Sequence, residues 1–96
     1  MPGCEHEIPE SDEYWACVVR HIAATTYHVA GSCKMAPASD PYSVVDHTLK
    51  VRGVSGLRVI DASIMPVVVS ANTNAATIMI GEKGADLIKS DYGVLR

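Results

Sequence analysis

The apolar positions near the N-terminus predict an amphipathic helix. Ser11 suits the N-cap, where a side-chain oxygen accepts from a free backbone N–H, and Asp12 and Glu13 place negative charge at the positive end of the helix. Apolar residues then recur at helical spacing on one face, at Trp15, Val18, Val19, Ile22 and Ala23. The pattern predicts a helix that begins after Ser11 and ends near Thr25.

The middle of the chain alternates between short apolar segments and turn residues. Residues 36–43, APASDPYS, contain two prolines and predict a loop. Segments rich in β-branched and apolar residues predict short strands, at residues 25–29, 43–46, 48–54 and 56–66. From residue 75 to residue 89 the helical spacing returns and predicts a terminal helix. Gly81 and Gly84 lower its propensity and favour a helix that packs closely against another part of the molecule.

A polar break precedes this second helix. Residues 70–74 are Ser-Ala-Asn-Thr-Asn and follow an apolar run that ends at Val69. One N-cap needs only one such side chain. The segment therefore has more polar groups than a helix start requires, which leaves some of them for binding or catalysis.

Composition limits the classes of protein to consider. The 96 residues form at most one domain, and 48% hydrophobic with 20% charged residues is typical of a globular chain. The net charge of −3 and the lack of a basic stripe argue against a nucleic-acid or anionic-membrane partner. The apolar run at residues 64–69 is too short to span a bilayer.

The cysteines are odd in number and include no Cys-x-x-Cys pair, so we expect no disulfide framework among Cys4, Cys17 and Cys33. Cys17 and His21 are spaced so that they could share one metal-binding face of a helix. Two ligands do not complete a zinc site, and we therefore expect no bound metal.

Three motifs in fixed order resemble the C-terminal segment of the glucose–methanol–choline (GMC) flavoprotein oxidoreductases. They are YHVAGSCKM, VVDHTLKVRGVSGLRVIDASIMP and SANTNAATIMIGEKGADLI. The resemblance extends from about residue 11 to residue 89 and is close to insect glucose-dehydrogenase-like members. It implies an α/β (α+β) fragment. Residues 1–52 would end the substrate-binding domain, and residues 53–96 would supply the C-terminal strand and helix of the FAD-binding domain.

The chain contains no Gly-x-Gly, so the dinucleotide-binding fingerprint that the family carries near its N-terminus is missing. The resemblance thus implies FAD as cofactor and, as partner, the N-terminal FAD-binding portion that is missing from this sequence. Two functions stay open. One is a fragment of an FAD-dependent enzyme that oxidises the CH–OH group of an alcohol or sugar. The other is a non-catalytic remnant or interaction piece without activity of its own. Three properties stay open: the substrate, whether oxygen or another acceptor reoxidises the flavin, and the cellular location of the protein. The resemblance is compatible with secretion.

The resemblance places a catalytic base at His28. The family has its active-site histidine in a Tyr-His-x-x-Gly-Ser/Thr-Cys context, which residues 27–33 match, although Val29 stands where proline is common. An imidazole can remove a hydroxyl proton near neutral pH. Asn72 matches the second active-site position, a His or Asn, and its amide could orient the substrate oxygen. From the residues alone, a structural histidine and an ordinary N-cap are the alternatives.

The resemblance also implies four cofactor-binding positions. Thr73 and Asn74 begin the helix whose N-terminus faces the flavin in the family, where free N–H groups favour negative charge on the reduced ring. Asp61 and Ala62 match the segment that approaches the ribityl–pyrophosphate region. Without the resemblance, Asp61 would be interpreted as a turn residue at the end of a strand.

Overall fold

Two helices and one short helical turn form the regular structure of the computed structural model, which describes residues 1–94. Helix α1 comprises Asp12–Ile22, helix α2 comprises Thr73–Asp91, and a single 3-10 turn comprises Ala62–Ile64. Both predicted helices are confirmed. Their bounds differ from the prediction, because α1 ends at Ile22 rather than near Thr25 and α2 starts at Thr73 rather than at residue 75.

The start of α1 follows from local hydrogen bonding and charge. The Oγ atom of Ser11 accepts from the backbone N–H of Tyr14 at 3.1 Å, so the predicted N-cap is confirmed. Asp12 and Glu13 lie in the first turn, and Arg20 lies in the last. These charges complement the helix dipole and explain why the short helix forms here.

The predicted strands are not confirmed in residues 1–94. Between the helices, the described residues make isolated bridges, which are Met35–Val45, Val45–Val51 and Lys50–Arg58. Leu49 has a φ of 67°, a left-handed conformation that interrupts any continuous strand through it. The α/β prediction with a C-terminal strand is therefore not confirmed, and an irregular segment packs against α2 instead.

The main core lies between this irregular segment and α2. Five buried side chains form it, at Val45, Leu49, Ile64, Met65 and Ile80. Gly84 of α2 is also buried and lies against Ile60. The prediction that a glycine of the second helix marks close packing is confirmed at Gly84, whereas Gly81 faces open space.

The N-terminal residues form a second, smaller core with α1. Cys4 is fully buried and is joined by a disulfide to Cys17 of α1, and Val18 packs beside them. The expectation that these cysteines form no disulfide framework is therefore wrong for Cys4 and Cys17. An odd count could not reveal the bridge, because Cys33 remains as the free cysteine.

The molecule is elongated, with extents of 65 × 30 × 17 Å. Trp15, Val19 and Ile22 lie on the predicted apolar face of α1, yet each is more than half exposed, at 53%, 59% and 60%. The residues that pack against α1 thus leave most of that apolar face exposed. Neither helix described here combines the length and the apolar character needed to cross a bilayer.

Candidate active site

His28 lies directly after a tight turn that follows α1. Its backbone N–H donates to the carbonyl of Thr25 at 3.0 Å, and the same carbonyl lies 2.8 Å from Nδ1 of the imidazole. A carbonyl oxygen only accepts, so this contact requires a hydrogen on Nδ1. In a neutral ring, Nε2 then carries the free lone pair.

Asn72 directly precedes α2, but its side chain does not cap the helix. The Nδ2 atom of Asn72 instead lies 3.1 Å from Nε2 of His28, a residue 44 positions earlier in the chain. An amide N–H that donates to Nε2 agrees with the tautomer that Thr25 requires. The structure thus brings together the two residues predicted for catalysis, with His28 half-buried and Asn72 exposed.

Backbone contacts join the segment that follows His28 to the segment that leads into α2. Gly31 has a φ of 87°, and a Cβ at that position would lie 3.4 Å from the carbonyl oxygen of Met65. The N–H of Cys33 donates to the carbonyl of Ser63 at 3.0 Å. The chain after His28 therefore runs beside the segment that leads into α2, and this places the imidazole near the start of that helix.

Thr73 and Asn74 form the first turn of α2. Thr73 is half-buried and its carbonyl accepts from Oγ1 of Thr77 at 2.8 Å, whereas Asn74 is exposed. Because the Asn72 side chain makes no cap bond, N–H groups of this turn are left for an acceptor from outside the helix. The helix end also carries partial positive charge, so it favours an anionic or electron-rich group.

A groove of about 420 Å³ reaches α2 at Thr77, one turn after the helix start, and its lining includes neither His28 nor Asn72. Its lining comes from the segment after His28, the 3-10 turn and α2, and consists of Val29, Ala30, Ser32, Asp61, Ala62, Ser63 and Thr77. The carboxylate of Asp61 accepts from the N–H of Ser63 at 2.7 Å and caps the 3-10 turn. Hydrogen bonding from Ser63, through its side chain and then its backbone, lowers the pKa of Asp61 below its usual value. The groove thus contains a carboxylate that is ionised near neutral pH.

A larger cavity of about 600 Å³ lies beside His47 and Arg52, and its lining includes none of the predicted site residues. The smaller groove is the candidate for ligand binding because it is formed by residues next to His28 and by Asp61 and Ala62. Position relative to the His28–Asn72 contact decides between the two, rather than size.

Cys4, Cys17 and His21 form a separate cluster, with their donor atoms within 4.8 Å of one another. The two sulfurs are joined as a disulfide, and Nδ1 of His21 lies 2.9 Å from the carbonyl oxygen of Cys17. These atoms are therefore engaged in covalent and hydrogen bonds. The cluster fastens the N-terminal segment to α1.

Sequence reasoning missed the turn that holds His28. Thr25, Thr26 and Tyr27 are β-branched or aromatic and predicted a strand. In the structure, φ is 50° at Thr26 and 65° at Tyr27. The segment contains no glycine, proline, asparagine or aspartate, so it carried no turn signal that could have corrected the prediction.

Comparison with known proteins identifies the family. The family model described as GMC oxidoreductase matches residues 1–81 of the chain. The chain belongs to the GMC oxidoreductase family. The matched part of this GMC chain contains His28, Asn72, the first turn of α2 and the segment around Asp61.

Individual GMC relatives extend this match over most of the chain. Glucose dehydrogenase (FAD, quinone) of Drosophila pseudoobscura pseudoobscura is 54% identical over 93 residues, which are 97% of this chain and 15% of the relative. The oxygen-dependent choline dehydrogenase 1 of Chromohalobacter salexigens is 56% identical over 80 residues, which are 83% and 14%. Mitochondrial choline dehydrogenase of Mus musculus is 55% identical over 80 residues, which are 83% and 13%. The chain thus spans 13% to 15% of the length of these curated relatives.

Proposed function

We propose that this GMC chain is part of an FAD-dependent oxidoreductase that acts on the CH–OH group of an alcohol or sugar. The observation that carries the proposal is the 3.1 Å contact between Nε2 of His28 and Nδ2 of Asn72. The names of the relatives add support, since they include a sugar, glucose, and an alcohol, choline. Residues 1–52 would belong to the substrate-binding domain and residues 53–96 to the FAD-binding domain.

His28 is the proton acceptor in this proposal. The Thr25 carbonyl engages Nδ1, so the lone pair of a neutral ring lies on Nε2, the atom that faces Asn72. A substrate hydroxyl that displaced the Asn72 amide from Nε2 would transfer its proton there as the C–H bond breaks and the hydride passes to FAD. General-base assistance of this kind contributes about 10²–10⁴-fold to a rate.

Asn72 orients the substrate oxygen. Its amide nitrogen has no basic lone pair, so it cannot act as the base, but its N–H groups can donate to an oxygen that gains negative charge. The side chain is available for this contact because it does not cap α2. His28 and Asn72 would therefore contact the same substrate oxygen from two directions.

The start of α2 and the neighbouring groove suit the flavin. When bound, FAD supplies the acceptor for the hydride that leaves the substrate carbon. Thr73 and Asn74 would hold the electron-rich edge of the ring through backbone N–H groups. Asp61 and Ala62 would lie along the ribityl–pyrophosphate portion. Because Asp61 is ionised, its carboxylate suits a ribityl hydroxyl donor and would repel a phosphate.

A second candidate function is a non-catalytic piece that acts by contact with another polypeptide. The exposed apolar face of α1, formed by Trp15, Val19 and Ile22, favours it. The short span of the chain relative to its relatives is consistent with either candidate. The two candidates differ in what they require of His28, since only the enzyme needs its lone pair.

The test uses a chimera, because the proposed reaction needs parts that lie outside this chain. We would replace the matching segment of Drosophila melanogaster glucose dehydrogenase, which is 54% identical, with this chain and measure flavin reduction by substrate. His28→Ala should slow reduction by about 10²–10⁴-fold with unchanged flavin content. His47→Ala, an exposed histidine outside the site, is the control. Equal rates for His28→Ala and the parent chimera would remove the base assignment, and a chimera without flavin would favour the second candidate.

The 96-residue chain alone should not retain FAD through gel filtration. The phosphate-binding Gly-x-Gly fingerprint is missing from its sequence, and with it the contacts that the fingerprint makes to the adenosine and pyrophosphate. Stoichiometric flavin that survives the column would show instead that these residues form a self-sufficient binding unit.

A further inference from the structure

The turn before His28 has a left-handed backbone at both central residues. With φ of 50° at Thr26 and 65° at Tyr27, and with the N–H of His28 bonded to the carbonyl of Thr25 at 3.0 Å, it has the pattern of a type I′ turn. Such turns favour glycine, asparagine and aspartate. A β-branched and an aromatic residue are strained in this conformation, so contacts made by the turn must compensate.

The side chains of the turn do not provide that compensation. Tyr27 is 98% exposed, and Thr26 is exposed as well. The turn instead directs the carbonyl of Thr25 toward His28. The oxygen of Thr25 accepts both from the backbone N–H of His28 and from its Nδ1 at 2.8 Å. The strained backbone is thus coupled directly to the orientation of the imidazole.

We propose that the Thr26–Tyr27 turn is a positioning device that holds His28 in the Nδ1–H tautomer. The Thr25 carbonyl fixes the hydrogen on Nδ1, and the lone pair on Nε2 then accepts from Asn72 at 3.1 Å. Without the turn, the ring is free to carry its hydrogen on Nε2, which could not accept from the amide. Thr26 and Tyr27 act only through His28 and are positioning residues.

The use of this tautomer in catalysis rests on the proposed function, whereas the tautomer itself is a property of the chain. A ring with its lone pair on Nε2 can accept a hydroxyl proton at the atom that faces Asn72. A ring with its hydrogen there cannot. The turn would therefore determine which fraction of the molecules is ready to act as base.

Two variants with opposite backbone preferences test the proposal. Tyr27→Pro fixes a negative φ at residue 27 and excludes the turn, and the exposed position keeps the change outside both cores. Thr26→Asn combined with Tyr27→Gly installs residues that prefer the turn and removes both native side chains. A positioning role predicts different results for the two, whereas a role of the side chains themselves predicts similar ones.

The readout is the tautomer of His28 in the 96-residue chain, from the ring nitrogen chemical shifts of isotope-labelled histidine at a pH where the ring is neutral. The signal that disappears in His28→Gln identifies the residue, and exposed His47 is the internal reference. We expect mostly the Nδ1–H form in the parent and in the Asn–Gly variant. Tyr27→Pro should lower the ratio of Nδ1–H to Nε2–H by about fivefold, which corresponds to the loss of one hydrogen bond.

An unchanged ratio in Tyr27→Pro, or a parent His28 with the same tautomer mixture as His47, would overturn the proposal. If circular dichroism shows that Tyr27→Pro has lost its helices, the Asn–Gly variant decides, and a ratio below that of the parent would overturn the proposal. The proposed function fails separately. If His28→Ala leaves flavin reduction in the chimera unchanged while the tautomer still responds to Tyr27→Pro, the base assignment is wrong and the positioning of the ring stands.

Discussion

Gly84 of α2 lies against Ile60, and a Cβ added to residue 84 would overlap Cγ2 of that side chain. Ile60 directly precedes Asp61, so the contact packs the groove segment against the helix that follows Asn72, the residue that contacts His28. Gly81 belongs to the same helix, and its Cβ position has nothing within 4 Å. The helix thus contains one glycine that close packing requires and one that only lowers its propensity.

We expect opposite stability changes from alanine at these two glycines. Gly84→Ala should destabilise the chain by about 1–3 kcal/mol, because the added methyl group forces Ile60 and the helix apart. Gly81→Ala should stabilise it by up to about 1 kcal/mol through higher helix propensity. Urea unfolding followed by circular dichroism measures both. Stabilisation by Gly84→Ala equal to that by Gly81→Ala would show that the close packing is absent in solution.

Asp91 near the end of α2 fastens the helix to the irregular segment. Its carboxylate lies 2.6 Å from Nζ of Lys50 and 2.6 Å from a guanidinium nitrogen of Arg58. The hydrogen bonds from Lys50 and then Arg58 hold the pKa of Asp91 below its usual value. A carboxyl whose pKa is lower in the folded state stabilises the fold above its unfolded pKa, and this contribution is lost as the pH falls through the folded pKa.

The free energy of unfolding should therefore fall as the pH drops below about 4, the pKa range of an unfolded aspartate. Asp91→Asn should make this fall shallower, because it removes one of the carboxylates that must be protonated. Asp86→Asn is a matched control on the same helix, since Asp86 is 64% exposed and its pair with Lys89 spans 4.0 Å. Chemical unfolding at a series of pH values would contradict the prediction if both variants kept the slope of the parent.

The two helices could be predicted because their signals are local. The Ser11 hydroxyl oxygen caps α1 by accepting from the N–H of Tyr14, only three residues later, and apolar spacing indicates the rest of the helix. The proximity of His28 and Asn72 had no local signal, since 44 positions separate them. Only the family resemblance led to that pair, and its catalytic roles stay predictions.

The segment between the helices could not be predicted because tertiary contacts override the preferences of its residues. Thr26 and Tyr27 are of residue types that favour strands, and Leu49 lies in a segment whose alternation predicts one, yet all three adopt positive φ. The pairing of Cys4 with Cys17 depends on how the first residues fold back onto α1, which neither spacing nor count reports. For this chain, sequence patterns therefore fail to predict turns that contain no glycine and the disulfide that joins two distant cysteines.

The Cys4–Cys17 disulfide should stabilise α1 because it joins that helix to a buried N-terminal residue. In the chain-entropy model, a loop of this size contributes about 3 kcal/mol. Cys17→Ser should therefore lower the hydrogen-exchange protection of α1 strongly and that of α2 little, since the two helices belong to separate cores. Cys33→Ser, at the free cysteine, is the control. Equal loss of protection in both helices would mean that the two cores unfold together.

Asn72 and Ser11 occupy the same position at the starts of the two helices, but only Ser11 makes a side-chain cap bond. Ser11→Ala should cost about 1 kcal/mol of helix stability, because the N–H of Tyr14 loses its acceptor. Asn72→Ala should cost α2 much less, since its amide faces His28 instead of the helix. Hydrogen exchange of the first-turn amides, measured for both helices in each variant, gives the stability that each helix start loses. A loss in Asn72→Ala as large as that in Ser11→Ala would make Asn72 an ordinary cap and remove the reason to assign its amide to a substrate.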